Sequence, residues 1–123
     1  MKVTKQQYEQ MLALSLEAFR EGTGAKDLPL QTLLMFLSVS ENGQHSVEEL
    51  KKRVPELSTS AVSRNVSILC GTSILRKDKG LELCEYEEDP MDRRYKLVRL
   101  TKKGKELREK MFNRATRWLN ESV

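Results

Sequence analysis

The side chains able to do chemistry in this 123-residue chain are few and unevenly placed. There is one histidine, His45, and there are two cysteines, Cys70 and Cys84, without CxxC spacing. Those three are too few for a zinc site of ordinary type, so neither a metal nor a cofactor is expected. No nucleophile–histidine pattern and no glycine-rich phosphate loop accompanies them, which argues against an enzyme. His45 stands beside a helix cap and reads as solvent-exposed. The cysteines read as reduced thiols, and the acidic neighbours of Cys84 disfavour a thiolate there. Hydroxyls and arginines are better placed. Ser58, Thr59, Ser60, Ser63, Arg64 and Ser67 fall within ten residues, and all but the first share one face of a helix. Short hydroxyl side chains permit close approach to a phosphate or a base edge. An arginine among them can pair bidentately with guanine O6 and N7. This is the chemistry of recognition, without bond-making.

A second arginine site follows at Asp89-Pro90-Met91-Asp92-Arg93-Arg94. Arginines on a turn suit a narrow minor groove, whose negative potential is enhanced. Asp92 is placed to brace one of them. The net charge of +4 hides a strong segregation. Residues 81–92 carry six acidic groups and no base, whereas residues 93–117 carry eleven basic groups against two acidic ones. A polyanion would complement the basic blocks; a solvated lysine-rich helix would explain them as well.

The elements that must hold these residues are legible from periodicity. Tyr8, Met11, Leu12, Leu16 and Phe19 mark one face of a first helix, about 4–20, closed by Gly22 and Gly24. Residues 30–40 are apolar on nearly all sides, which predicts a central buried helix started by Pro29. Ser46-Val47-Glu48-Glu49 has the form of a capping box for a short helix that Pro55 ends. Ser58 caps the next helix, whose inward residues are Val62, Val66 and Leu69. Residues 81–88 and 93–100 predict a hairpin, and Thr101 caps a last helix, about 101–120, striped by Leu107, Met111, Ala115 and Trp118. The fold class is mainly α with a small β-hairpin wing: a winged helix-turn-helix of about five helices in a single domain, 1–123.

Three segments in order then resemble the MarR-type winged-helix regulators. They are Ser58-Thr59-Ser60-Ala61-Val62-Ser63-Arg64, then Asp89-Pro90-Met91-Asp92-Arg93-Arg94, then Leu100-Thr101-Lys102-Lys103-Gly104-Lys105-Glu106-Leu107. The resemblance covers about residues 28–110. It implies a cytoplasmic transcriptional regulator, most simply a repressor, that binds an inverted repeat in double-stranded DNA as a homodimer. Ser60, Ser63 and Arg64 would then lie in the base- and phosphate-reading helix, and Arg93 and Arg94 at the wing tip with Asp92 as brace. The family's dimer interface of first and last helices matches Tyr8, Leu12, Leu16, Phe19, Met111 and Trp118.

Three departures from the family pattern stand out. The interval from Arg64 to Asp92 is longer, with an extra turn at Lys77-Asp78-Lys79-Gly80 that implies a longer wing or an added hairpin. The acidic run would repel phosphates if it faced DNA. Only one helix follows the wing, which weighs against a small-molecule effector pocket. The acidic wing keeps a second reading open, a winged-helix module for protein contacts, replication or assembly. No apolar run approaches the roughly 20 residues needed to span a bilayer, so no membrane association is expected.

Overall fold

The computed structural model describes residues 2–24, 27–71 and 80–121, except for the side chains of 93–95 and 118–121. The element order is α1 (Lys5–Thr23), α2 (Leu30–Ser38), β1 (His45–Ser46), α3 (Val47–Arg53), α4 (Thr59–Leu69), β2 (Cys84–Asp89), β3 (Asp92–Leu100) and α5 (Lys102–Glu121). Among the described residues, five helices and a small antiparallel sheet make up the expected class. The extra turn at residues 77–80 lies, apart from Gly80, outside the described residues.

The chain divides into two compact units, one of residues 1–27 with 106–123 and one of residues 28–105. In the first, Thr4 caps α1 by accepting from the Gln7 N–H while the Gln7 side chain accepts from the Thr4 N–H. This is a reciprocal cap that holds two otherwise orphaned donors. The helix runs on past Gly22 and ends at Gly24, which adopts a left-handed conformation with φ of 67°. Gly22 lies inside α1 with Leu107 against it, where a Cβ would collide with the Leu107 side chain. It is a close-approach glycine and not a helix breaker. Ala18, Phe19, Leu107, Met111 and Ala115 are buried here, and Arg114 reaches Glu21 at 2.8 Å. Tyr8, Leu12, Leu16 and Phe112 are exposed.

In the second unit, α2 buries Thr32, Leu33, Met35 and Phe36. It is not buried on all sides: Leu30, Leu34 and Leu37, spaced as one helix stripe, are exposed. A nine-residue helix packs one face, and the apolar excess of its sequence lies on the other. The sheet order is β1-β3-β2, antiparallel throughout, with His45 opposite Val98 and Tyr86 also opposite Val98. The two-residue β1, absent from the sequence reading, draws the chain before α3 onto the wing.

It also corrects two expectations. His45 is buried: its Nε2 accepts from the Ser40 N–H at 3.2 Å, and its Nδ1 lies 3.3 Å from Glu49 Oε2. Ser46 does cap α3 by accepting from the Glu49 N–H at 3.1 Å, but the Glu49 carboxylate turns to His45 and the Ser46 hydroxyl. The buried imidazole competes for the acid that a full capping box would have returned to the backbone. Glu49 titrates below its usual range chiefly because of that bond to His45.

A candidate DNA interface

The helix-turn-helix is α3, a turn over residues 54–58, and α4. Ser58 opens α4 by accepting from the Ala61 N–H at 3.1 Å, and its hydroxyl lies 3.2 Å from that of Ser60. No acidic residue occupies the first turn of α4, so its own first turn supplies no carboxylate to offset the positive end of the helix dipole. Val62, Asn65, Val66 and Leu69 face the core. The opposite face carries Thr59, Ser60, Ser63 and Arg64, all exposed. Ser60, Ser63, Arg64 and Ser67 line one shallow depression on it. The α4 residues singled out from sequence therefore share a face, with two qualifications. Ser58 is engaged as the cap. Ser67 is only half-exposed, with its hydroxyl 3.4 Å from that of Tyr86 on β2.

The junction of helix and wing is built mostly by backbone. The Leu69 carbonyl accepts from the Leu83 N–H at 2.8 Å and the Ile68 carbonyl from the Leu81 N–H at 2.9 Å. Cys70 then pairs with Cys84 as an isolated parallel bridge. Alternation along β2 points Cys84 and Tyr86 inward and Glu85 and Glu87 outward. Burial pushes the Cys70 thiol up to about 12, and also raises Tyr86, whose hydroxyl shares the space between Ser67 and Cys70. Lys96 Nζ stands 5.5 Å from the centre of the Tyr86 ring, a cation–π separation.

Two carboxylates of the acidic run are paired within the sheet. Arg99 on β3 meets Glu85 at 2.7 Å and Glu87 at 3.3 Å, and the Gln44 amide donates to Glu87 at 2.8 Å. Around Glu85 and Glu87 the outer wing face therefore carries both signs of charge. At the tip, the Met91 N–H donates to Asp89 Oδ1 at 2.9 Å, which shapes the turn. Asp92 begins β3 in register with Asp89 and is half-buried. Arg93 and Arg94 belong to β3, but their side chains lie outside the described residues. The base of the wing is tied to α5. Thr101 donates to the Glu82 carbonyl at 2.6 Å and accepts from the Gly104 N–H at 3.0 Å, while Gly104 passes so close to the Leu83 carbonyl that a Cβ would collide with it. That contact explains why a threonine and a glycine stand three residues apart in the third sequence segment.

Of the proposed dimer residues, Tyr8, Leu12 and Leu16 are exposed, whereas Phe19 and Met111 are buried in the chain itself. The side chain of Trp118 lies outside the described residues. Sequence reasoning missed Asn65, Thr32 and Tyr86. The signal was present: Asn65 sits within the Val62–Val66–Leu69 stripe, and Tyr86 is two residues from Cys84 on the inward side of β2. Among the described residues, no cluster of three or more potential metal ligands occurs, and no helix is long and apolar enough to cross a membrane.

No family model and no curated protein matches the chain by sequence. Solved structures match its fold. RV1404 from Mycobacterium tuberculosis is 19% identical with a TM-score of 0.68, over 94% of this chain and 70% of that one. The transcriptional regulator Tm0710 from Thermotoga maritima is 21% identical with a TM-score of 0.63, over 96% and 79%. Wild-type MarR from E. coli, in its apo form, is 18% identical with a TM-score of 0.57, over 99% and 83%. The chain has the winged-helix fold of these proteins.

Proposed function

We propose that this chain is a sequence-specific double-stranded DNA-binding transcriptional regulator that works as a homodimer on an inverted repeat and represses by occupying its site. The observation that carries the reading is the exposed face of α4, where Thr59, Ser60, Ser63 and Arg64 stand together on a capped helix whose first turn holds no acid. A helix of this size fits a major groove about 12 Å wide, with its N-terminal half at the base edges. Its positive end favours phosphate. The wing supplies Arg93 and Arg94, and Asp92 holds one of them in position. The fold shared with Tm0710 and MarR supports a regulator. No catalytic constellation is part of the proposal, and the cytoplasm is where such a protein would meet DNA.

The alternative, a module for protein contacts, drew on the acidic wing. Arg99 satisfies two of those carboxylates, which weakens the case for an acidic docking strip. Selection from a random duplex library at several salt concentrations tests the proposal. Enrichment of one inverted repeat, with affinity falling steeply in salt, is expected. Salt-insensitive binding without enrichment, or no binding, would refute it.

A further inference from the structure

The buried face of α4 contains one polar side chain. Asn65 is 4% exposed and lies between Val62, Val66 and Leu69. Its Nδ2 donates to the Ala61 carbonyl one turn back at 2.8 Å, and its Oδ1 accepts from Thr32 Oγ1 at 2.7 Å. Thr32, on α2, is fully buried. The amide orientation is dictated by its partners, because only an N–H can satisfy the Ala61 carbonyl. Asn65 thus clamps its own helix and presents an oxygen to a hydroxyl 33 residues earlier in the chain.

We propose that the Thr32–Asn65 pair sets the rotation of α4 about its own axis, so that two buried residues remote from DNA help determine which bases are read. At 100° per residue, Asn65 lies nearly opposite the centre of the Ser60, Ser63, Arg64 and Ser67 face. The valines and leucine around it attract without direction and tolerate a small roll of α4 across α2. A 2.7 Å hydrogen bond between buried groups does not. A roll of about 20° would carry a side-chain tip some 6 Å from the helix axis through about 2 Å. That is enough to take Arg64 out of bidentate register with a guanine. Thr32 and Asn65 are positioning residues in this account, and the inference rests on the DNA-binding reading above.

The test compares the wild-type chain with a Thr32→Val/Asn65→Leu double variant by thermal melting and by selection from a random duplex library. Replacing both partners with apolar groups of similar shape leaves no orphaned polar atom, so the fold should persist. The double variant should melt close to wild type and keep its low-salt affinity for random DNA. Its ratio of specific to random binding should fall about ten-fold, the discrimination carried by one bidentate base contact. The loss should fall at the base positions that Arg64→Ala also relaxes. An unchanged specificity ratio in a folded double variant would overturn the proposal. If that variant does not fold, Thr32→Ser and Thr32→Val decide. The serine, which keeps the hydroxyl, should retain the wild-type ratio and the valine should lose it; equal ratios would refute the pair's role. Failure of the wild-type chain itself to enrich any site would instead refute the DNA-binding reading, and this inference with it.

Discussion

Arg64 and the wing arginines are expected to fail in different ways, because in the proposed function one set would address bases and the other a charged groove. Arg64 is exposed on α4, and among the described residues no acid pairs with it. Arg64→Ala should cost about 1–3 kcal/mol on the preferred site and relax one base position in each half-site. Arg93→Ala or Arg94→Ala should weaken binding more evenly across sequences and lower the salt slope by about one per lost phosphate contact. Binding isotherms on matched and mismatched duplexes, repeated in a salt series, separate the two. Asp92→Ala gives the sharper test of the wing. A charge count predicts tighter binding when an acid is removed beside DNA, whereas the brace predicts weaker binding with the flanking preference blurred. Tighter binding with unchanged preference would refute the brace. At this scale the sequence was readable only where a residue acts through its own periodicity. Ser60, Ser63 and Arg64 could be placed on one face by counting. For His45, Asn65 and Tyr86 periodicity could give at most a face and not a partner, because Ser40, Thr32 and Ser67 are brought to them by tertiary contacts.

Helices and strands were legible where a cap or an apolar stripe announced them, and obscure where packing overrode local preference. Ser58, Pro55 and Thr101 marked ends that the structure keeps. Gly22 misled, since glycine in a helix costs only about 1 kcal/mol and Leu107 needs the space. A two-residue strand such as β1 has no period to detect and exists only because β3 offers it an edge. The α4–β2 junction has a consequence for pH. Cys70 keeps its proton to about pH 12 in the folded chain against an ordinary value of 9.0. The unfolded chain therefore loses that proton first as pH rises. The stability linked to Cys70 is complete below pH 9 and disappears between pH 9 and 12, by at most about 1.4 kcal/mol per pH unit. Denaturant titrations across that window should show a shallower alkaline decline for Cys70→Ser than for wild type. The same burial keeps Cys70 in its thiol form at neutral pH, which disfavours its oxidation. Although the Cys70 and Cys84 backbones are bridged neighbours, peroxide should leave DNA binding unaltered. A peroxide-induced loss that Cys70→Ser/Cys84→Ser escapes would show a thiol switch.

Each of the two compact units leaves an apolar helix stripe exposed among its described residues, Leu30, Leu34 and Leu37 on α2 and a stripe spanning more turns on α1. Tyr8, Leu12 and Leu16 fall at i, i+4 and i+8 on α1 and are 59%, 46% and 39% exposed. A chain of 14.2 kDa buries a modest share of its surface, and a stripe of this length left in water lowers solubility. Phe19 and Met111 are already inside the chain, so a partner helix would meet the first three turns of α1 and not its end. A second copy would supply the same stripe and meet the two-fold symmetry that the proposed inverted repeat requires. Sedimentation at micromolar concentration should give twice 14.2 kDa. Leu12→Lys, at the centre of the stripe, should give a folded monomer whose far-ultraviolet circular dichroism matches wild type. That monomer should bind a single half-site about as well as one wild-type subunit does, yet lose the gain from a second half-site about 10 base pairs away. Retention of that gain by a demonstrably monomeric Leu12→Lys protein would place the two-fold elsewhere. A wild-type chain that sediments as a monomer and still prefers the full inverted repeat would remove α1 from the recognition of DNA.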